Sequence, residues 1–183
     1  MIVDGVGAVA KAFFPKPVWV RTLDARTDEF ARMKGGEKEP HEPNPMLGWH
    51  GIRRSLDEPA IIRAEFAAIK QLHQQGLTNV ALMIPFTINV SELRKAKQLG
   101  AESGLPSSVK FGIMVETPAA ALSIEEYCKE GIDFISFGSN DLTQLTLGLD
   151  RNNERMIKLF DEMHPAMRFQ FRHVISTCRR AGV

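Results

Sequence analysis

The chain has 183 residues, 44% hydrophobic and 25% charged, with 23 Lys and Arg balanced by 22 Asp and Glu for a formal net charge of +1. That length holds one sizeable core, so residues 1–183 read as a single domain, and near neutrality without a basic block excludes nucleic acid as the main partner. No apolar run reaches the roughly 20 residues of a membrane helix and the N-terminus lacks the basic-then-apolar order of a secretory signal, so no membrane partner is expected and the cytoplasm is the expected location.

In chain order, residues 3–14 show helical spacing of small and apolar side chains, stopped by Pro15 and Pro17. Residues 18–23 read as a strand with Arg21 near its C-terminal end and Asp24 just beyond. Residues 32–45 are rich in Gly, Glu, Lys, His and Pro, a surface loop; loops longer than about 12 residues are more often functional than accidental. A helix over 58–75 follows, with Ile61, Phe66, Ile69 and Leu72 as its inward stripe and Gly76 at its end. The rhythm then repeats: strand 79–84, helix 91–100, strand 110–115, helix 119–130, strand 132–137, a turn-rich stretch over 148–153 and a helix over 165–181. The reading names these four strands and counts five in all, and the alternation predicts α/β with a parallel sheet. Cys128 and Cys178 fall in separate helical segments and are expected to be separate buried thiols, not a disulfide, metal site or nucleophile.

Two segments carry the chemistry. Residues 111–118 and 134–144 are apolar runs that each end in a carboxylate, with a helical segment between, which is the layout of one βαβ unit. Glu116 and Asp141 are therefore predicted side by side at the C-terminal edge of the sheet. Two adjacent carboxylates there suit a hard cation, Mg2+ or Mn2+, with positions left for an anionic substrate. Each acid alone has a plainer role as a solvated turn former, and Asp141 could cap the next helix. The pairing favours a pocket, as does the run Gly138, Ser139, Asn140, a small, polar loop that a phosphate can approach closely. Arg21 alone would read as a strand-end salt-bridge partner.

Residues 44–53, 112–118 and 136–144, the last continuing through Asp150 and Arg151, resemble the C-terminal barrel of the phosphoenolpyruvate-utilising enzymes. That family includes phosphoenolpyruvate synthase, pyruvate phosphate dikinase and enzyme I of the bacterial sugar phosphotransferase system. Residues 20–24, Gly35 and Gly36, and residues 52–55 are most similar to the synthases, and the likeness runs from about residue 18 to the end. It implies a (β/α)8 TIM barrel, incomplete in this chain, that binds pyruvate or phosphoenolpyruvate for phosphoryl transfer between a phosphohistidine and pyruvate. It further implies that Glu116 and Asp141 hold Mg2+ or Mn2+, that Ser139 and Asn140 contact the phosphoryl group, and that Arg21 and Arg151 are catalytic, gripping its oxygens and the enolate. Such roles match the physics, because planar guanidinium forks and a metal stabilise charge that develops on both fragments as the enol–phosphate bond breaks.

Two departures stand out. The family's phosphate-binding arginine is replaced by His50, which offers at most two donors and is only partly charged near neutrality. His50 would bind substrate less well, or serve as a new ligand or phosphate acceptor. The family's enolate-protonating cysteine lies on a loop after the last strand, and this chain stops at Val183, before that strand would begin; Cys128 and Cys178, in outward helices, do not replace it. A closed barrel takes about 250 residues, so the chain reads as part of a barrel, without the family's nucleotide-binding and phosphohistidine domains and inactive alone from ATP. Its unpaired edges predict association with a partner chain or a homo-oligomer. Two other functions remain open: a magnesium-dependent aldolase or lyase acting on pyruvate or oxaloacetate, and a non-catalytic interaction module with a decayed site.

Overall fold

Parallel strands need a crossover of a dozen or more residues, and the apolar runs of this chain are spaced widely enough for a helix in every gap. The computed structural model describes residues 1–183. Its elements are α1 (Ile2–Phe13), β1 (Val18–Arg21), α2 (Thr27–Phe30), α3 (Gly51–Asp57), α4 (Pro59–Gln74), β2 (Val80–Ile84), α5 (Val90–Glu102), β3 (Phe111–Val115), α6 (Pro118–Leu122), α7 (Ile124–Glu130), β4 (Phe134–Phe137), α8 (Ser139–Leu147) and α9 (Pro165–Ala181). No helix is long and apolar enough to cross a membrane.

The sheet has 4 strands in the order β1-β2-β3-β4, all parallel. Five were expected. Beyond residue 137 the buried apolar side chains Leu142, Met167 and Val174 all sit on helices, so nothing is left to form another strand. The fold is thus α/β, a curled parallel half-barrel with the layout of an incomplete (β/α) barrel.

One core lies between the sheet and the helices that cover it. Leu82, Ile84, Ile113 and Val115 of the central strands meet Phe66, Ile69 and Leu72 of α4, Leu93 of α5, and Ile124 and Tyr127 of α7. Each such side chain, fully buried, contributes about 1.5–3 kcal/mol of transfer free energy. The stripe of α4 begins at Ile62, which is fully buried, and Ile61 beside it is only half-buried.

Curl shows on the opposite face. Alternation and register place Trp19 and Arg21, Ala81 and Met83, Gly112 and Met114, and Phe134 and Ser136 on one side of the sheet. A flat sheet would separate β1 from β4 by three steps of about 4.8 Å. Instead Trp19 and Phe134 stack with ring centroids 4.6 Å apart and planes 11° from parallel. Ala81 and Gly112, small residues between them, leave the space. A Cβ on Gly112 would lie 2.5 Å from two ring carbons of Phe134 and 2.6 Å from its carbonyl oxygen.

Several local expectations are corrected. The helix foreseen over 119–130 is broken at Ser123, whose hydroxyl donates to the Ala119 carbonyl at 2.6 Å and ends α6 before α7 begins. Helices α2 and α3 lie where no helix was foreseen. The loop foreseen over Gly138, Ser139 and Asn140 is instead the start of α8, with Asp141 in its first turn. Cys128 and Cys178 are free thiols as expected, but only Cys178 is fully buried, and their sulfurs are 4.0 Å apart. Residues 165–181 are helical as expected.

Glu65 ties α4 to the end of β1, where its Oε1 accepts the Leu23 amide at 2.8 Å, while Oε2 is buried without a donor. Burial pushes its pKa up to about 7, against the pull of that amide. In the unfolded chain Glu65 ionises near pH 4.5, so the folded state holds the extra proton and this contribution to stability is lost as pH rises from there through about 7. Glu65→Gln should therefore gain on the parent over that interval, by on the order of 3 kcal/mol at most, in urea titrations across pH. Gly112→Ala should cost about 2 kcal/mol in the same assay, because ring and backbone block the methyl group together.

Candidate functional site

The C-terminal edge of the sheet gathers charge. Arg21 ends β1 and Asp24 follows it, His50 precedes α3, Glu116 follows β3, Asp141 sits in the first turn of α8, and Arg151 lies in the turn beyond. Arg21, Asp24, His50, Asp141 and Arg151, with Arg26, line one cavity of about 200 Å3. Glu116 lies beside this group, fully buried.

Glu116 is held by the turn after β2. Phe86, at φ 54° the one non-glycine residue in the left-handed region, donates its amide to Glu116 Oε1 at 2.6 Å. Such a backbone costs of order 1–3 kcal/mol and survives only where its surroundings enforce it. Here Thr117 does so in part: its hydroxyl donates to the Thr87 carbonyl at 2.7 Å and accepts the Ala120 amide at 3.1 Å, joining the β2 turn to the start of α6. Glu116 Oε2 is left buried with no donor. A side chain on Gly138 would overlap that carboxylate, so the first βα turn after β4 runs tight against it.

Asp141 is similarly underprovided. Arg151 Nη1 stands 3.1 Å from its Oδ1, an ion pair by distance but not aligned as a hydrogen bond, and Oδ1 is buried without a donor. Burial pushes the Glu116 carboxyl up to about 7, with Asp24 and Asp141 adding repulsion and the Phe86 amide and Arg21 opposing it. Burial likewise raises Asp141 against the pull of Arg151, and Asp24 raises it further. Three carboxylates thus crowd one water-poor edge.

Asp24 was not foreseen as a site residue. It accepts from His50 Nδ1 at 2.9 Å and pairs with Arg21 Nη1 at 3.5 Å. His50 Nε2 is 3.0 Å from the Met46 carbonyl, which can only accept, so that nitrogen carries a proton. Burial disfavours charge on His50, but the bonds to Asp24 and Met46 outweigh it and raise the pKa. Both ring nitrogens are therefore spent inside the protein. Gly51, at φ 58°, lets the backbone turn here; a Cβ would lie 2.9 Å from that of Phe86 and 3.0 Å from Asp24 Oδ1. The only signal in the sequence for Asp24 was an acid just past an arginine-bearing strand end.

Ser139 and Asn140 do not line the cavity. The Ser139 hydroxyl donates to Glu162 at 3.1 Å and Asn140 is exposed. Successive helical residues point about 100° apart, so the first turn of α8 cannot aim all three at one point.

The loop over 32–45 is pinned by Arg54, whose Nη1 and Nη2 each donate to Glu39 at 2.8 Å while its guanidinium lies between the rings of Phe30 and Trp49. Glu42 accepts the Trp49 amide at 3.0 Å and the Thr27 hydroxyl at 2.8 Å. These bonds hold Met46 and His50 over the strand edge.

No group of three or more His, Cys, Asp or Glu side chains is arranged to hold a metal ion by itself. The donor set fits a hard cation in a narrower way: two buried carboxylate oxygens lack donors, and magnesium is commonly bound through one or two carboxylates with water and substrate oxygens completing the shell.

Charged side chains collected where parallel strands end, in turns above a curled sheet, mark the working face of a (β/α) barrel protein. The chain matches the family described as PEP-utilising enzyme, PEP-binding domain over residues 3–183, and it belongs to that family. It is 54% identical over 184 residues to the phosphoenolpyruvate synthase of Pyrococcus furiosus, covering 100% of this chain and 22% of that protein. The probable phosphoenolpyruvate synthase of Methanocaldococcus jannaschii is 52% identical across 100% of this chain and 16% of its own length. The phosphoenolpyruvate synthase of Pseudomonas aeruginosa is 40% identical across 99% of this chain and 24% of its own. The chain therefore spans less than a quarter of each of these relatives.

Replacing Asp24 by Asn removes the anion shared by the site. In Asp24→Asn the His50 pKa should fall, since burial then acts with less opposition, and the Glu116 pKa should fall with the loss of a repelling neighbour. Side-chain NMR titrations of the two residues measure both shifts.

Proposed function

We propose that the chain forms the part of a phosphoenolpyruvate synthase that binds pyruvate or phosphoenolpyruvate beside a divalent cation, Mg2+ or Mn2+, for phosphoryl transfer between a phosphohistidine and pyruvate. The observation that carries this reading is the pair of donorless buried oxygens, Glu116 Oε2 and Asp141 Oδ1, at a strand edge that also bears Arg21 and Arg151. A pocket of about 200 Å3 is smaller than the roughly 300–1,000 Å3 typical of larger ligands and suits a three-carbon acid.

Glu116 and Asp141 would hold the ion, which when bound supplies positive charge to enolate and phosphoryl oxygens. Arg21 and Arg151 orient the anion, because each planar guanidinium can bridge two oxygens of a carboxylate or phosphate. Burial of Glu116 keeps water from its carboxylate and strengthens its electrostatic interactions. His50 contributes indirectly, as the cation that holds Asp24, and has no donor left for substrate. The anion grip thus falls to the two arginines. Ser139 and Asn140 reach the phosphoryl group only if the first turn of α8 adjusts. Nucleotide binding and the phosphohistidine belong, on this reading, to other domains of a longer enzyme, and the isolated chain does not turn over from ATP.

Calorimetric titration with oxalate, a planar mimic of the pyruvate enolate, tests the site. Saturable binding is expected only with Mg2+ present, and Glu116→Gln and Asp141→Asn should each weaken it by about 10-fold or more. Equal binding with and without Mg2+, or indifference to both substitutions, would sink the proposal.

A further inference from the structure

Helix α9 packs against α6 and α7. There Cys128 of α7 and Cys178 of α9, separated by 50 positions in sequence, bring their sulfurs to 4.0 Å. Cys178 is 4% exposed, whereas Cys128 is half-buried and lines a surface cleft with Glu125, Lys129, Thr177 and Arg180. These are the two cysteines of the 183 residues. We infer that Cys128 and Cys178 are a reversible dithiol–disulfide site, opened from the Cys128 side by a small-molecule disulfide of the glutathione class.

The chemistry is a double exchange. The Cys128 thiolate attacks one sulfur of the oxidised tripeptide and expels its first thiolate, leaving a mixed disulfide on the accessible sulfur. Cys178, in contact behind it, then attacks Cys128 Sγ and expels the second. Two protein S–H bonds are lost and one S–S bond forms, and the two electrons and two protons leave on two molecules of reduced tripeptide. Closure needs the sulfurs to approach to about 2 Å, a short further step for side chains already in contact across a packed helix pair. Burial raises both thiols, Cys178 to about 12, so the exchange should quicken as pH rises above neutrality.

The bridge would enclose a loop that contains β4 and α8, and with them Asp141 and Arg151 of the candidate site. Cross-linking a loop of that length restricts the unfolded chain and strengthens the attachment of α9, the last helix. In reducing surroundings the pair rests as two thiols.

The full chain, incubated with oxidised glutathione at about pH 8 and quenched by alkylation, tests this without any substitution. Expected are loss of both titratable thiols, a mass lower by two hydrogens, one peptide linking residues 128 and 178, and a Tm higher by about 5 °C or more that dithiothreitol reverses. Cys178→Ser should stop at a glutathione adduct on Cys128, and folded Cys128→Ser should take up almost none. Persistence of both free thiols, a stable mixed adduct in the parent protein, or links only between molecules would overturn the inference.

Discussion

The constraint on which the site depends is like-charge crowding in a poorly hydrated place. Asp24, Glu116 and Asp141 come from three different segments, and burial together with their mutual repulsion pushes Glu116 and Asp141 towards protonation. Arg21, His50 and Arg151 offset this only in part, because two of the three act on Asp24 and the third meets Asp141 out of line. Within the site Glu116 Oε2 and Asp141 Oδ1 are both buried without donors, a state that Glu65 Oε2 shares elsewhere in the fold. Added positive charge from a ligand or ion would satisfy what the protein leaves open.

The sheet delivers those groups, and its curl depends on small side chains as much as on large ones. Ala81 and Gly112 clear the face between Trp19 and Phe134, so two rings from opposite edges can stack. Curling turns the strand ends towards a common centre, which is how residues on β1 and after β3 and β4 come to share one field. The connections finish the work: Arg54 clamps the long loop through Glu39, and that loop carries the Met46 carbonyl to His50.

Legibility in the sequence followed the range of the interactions. The apolar runs of β2, β3 and β4 and the amphipathic repeat of α9 are local signals, and the structure has those elements where the pattern put them. The acids at the strand ends were visible for the same reason. Asp24 was not singled out, because its partner His50 lies 26 positions away and only the fold makes them neighbours. The start of α8 was misread as a loop, since Gly138, Ser139 and Asn140 are turn formers that also begin helices well. The contact between Cys128 and Cys178 left no local trace at all, because it arises from how α9 packs on α7.

By itself the sequence determined the α/β alternation, the family resemblance and which strands end in carboxylates, all properties of spacing along the chain. Tertiary structure alone decided that four strands curl, that Asp24 is the shared anion of the edge, that His50 spends both nitrogens internally, and that two distant thiols touch. The division is physical: periodicity records which face of an element is buried, but says nothing of which other buried face it meets.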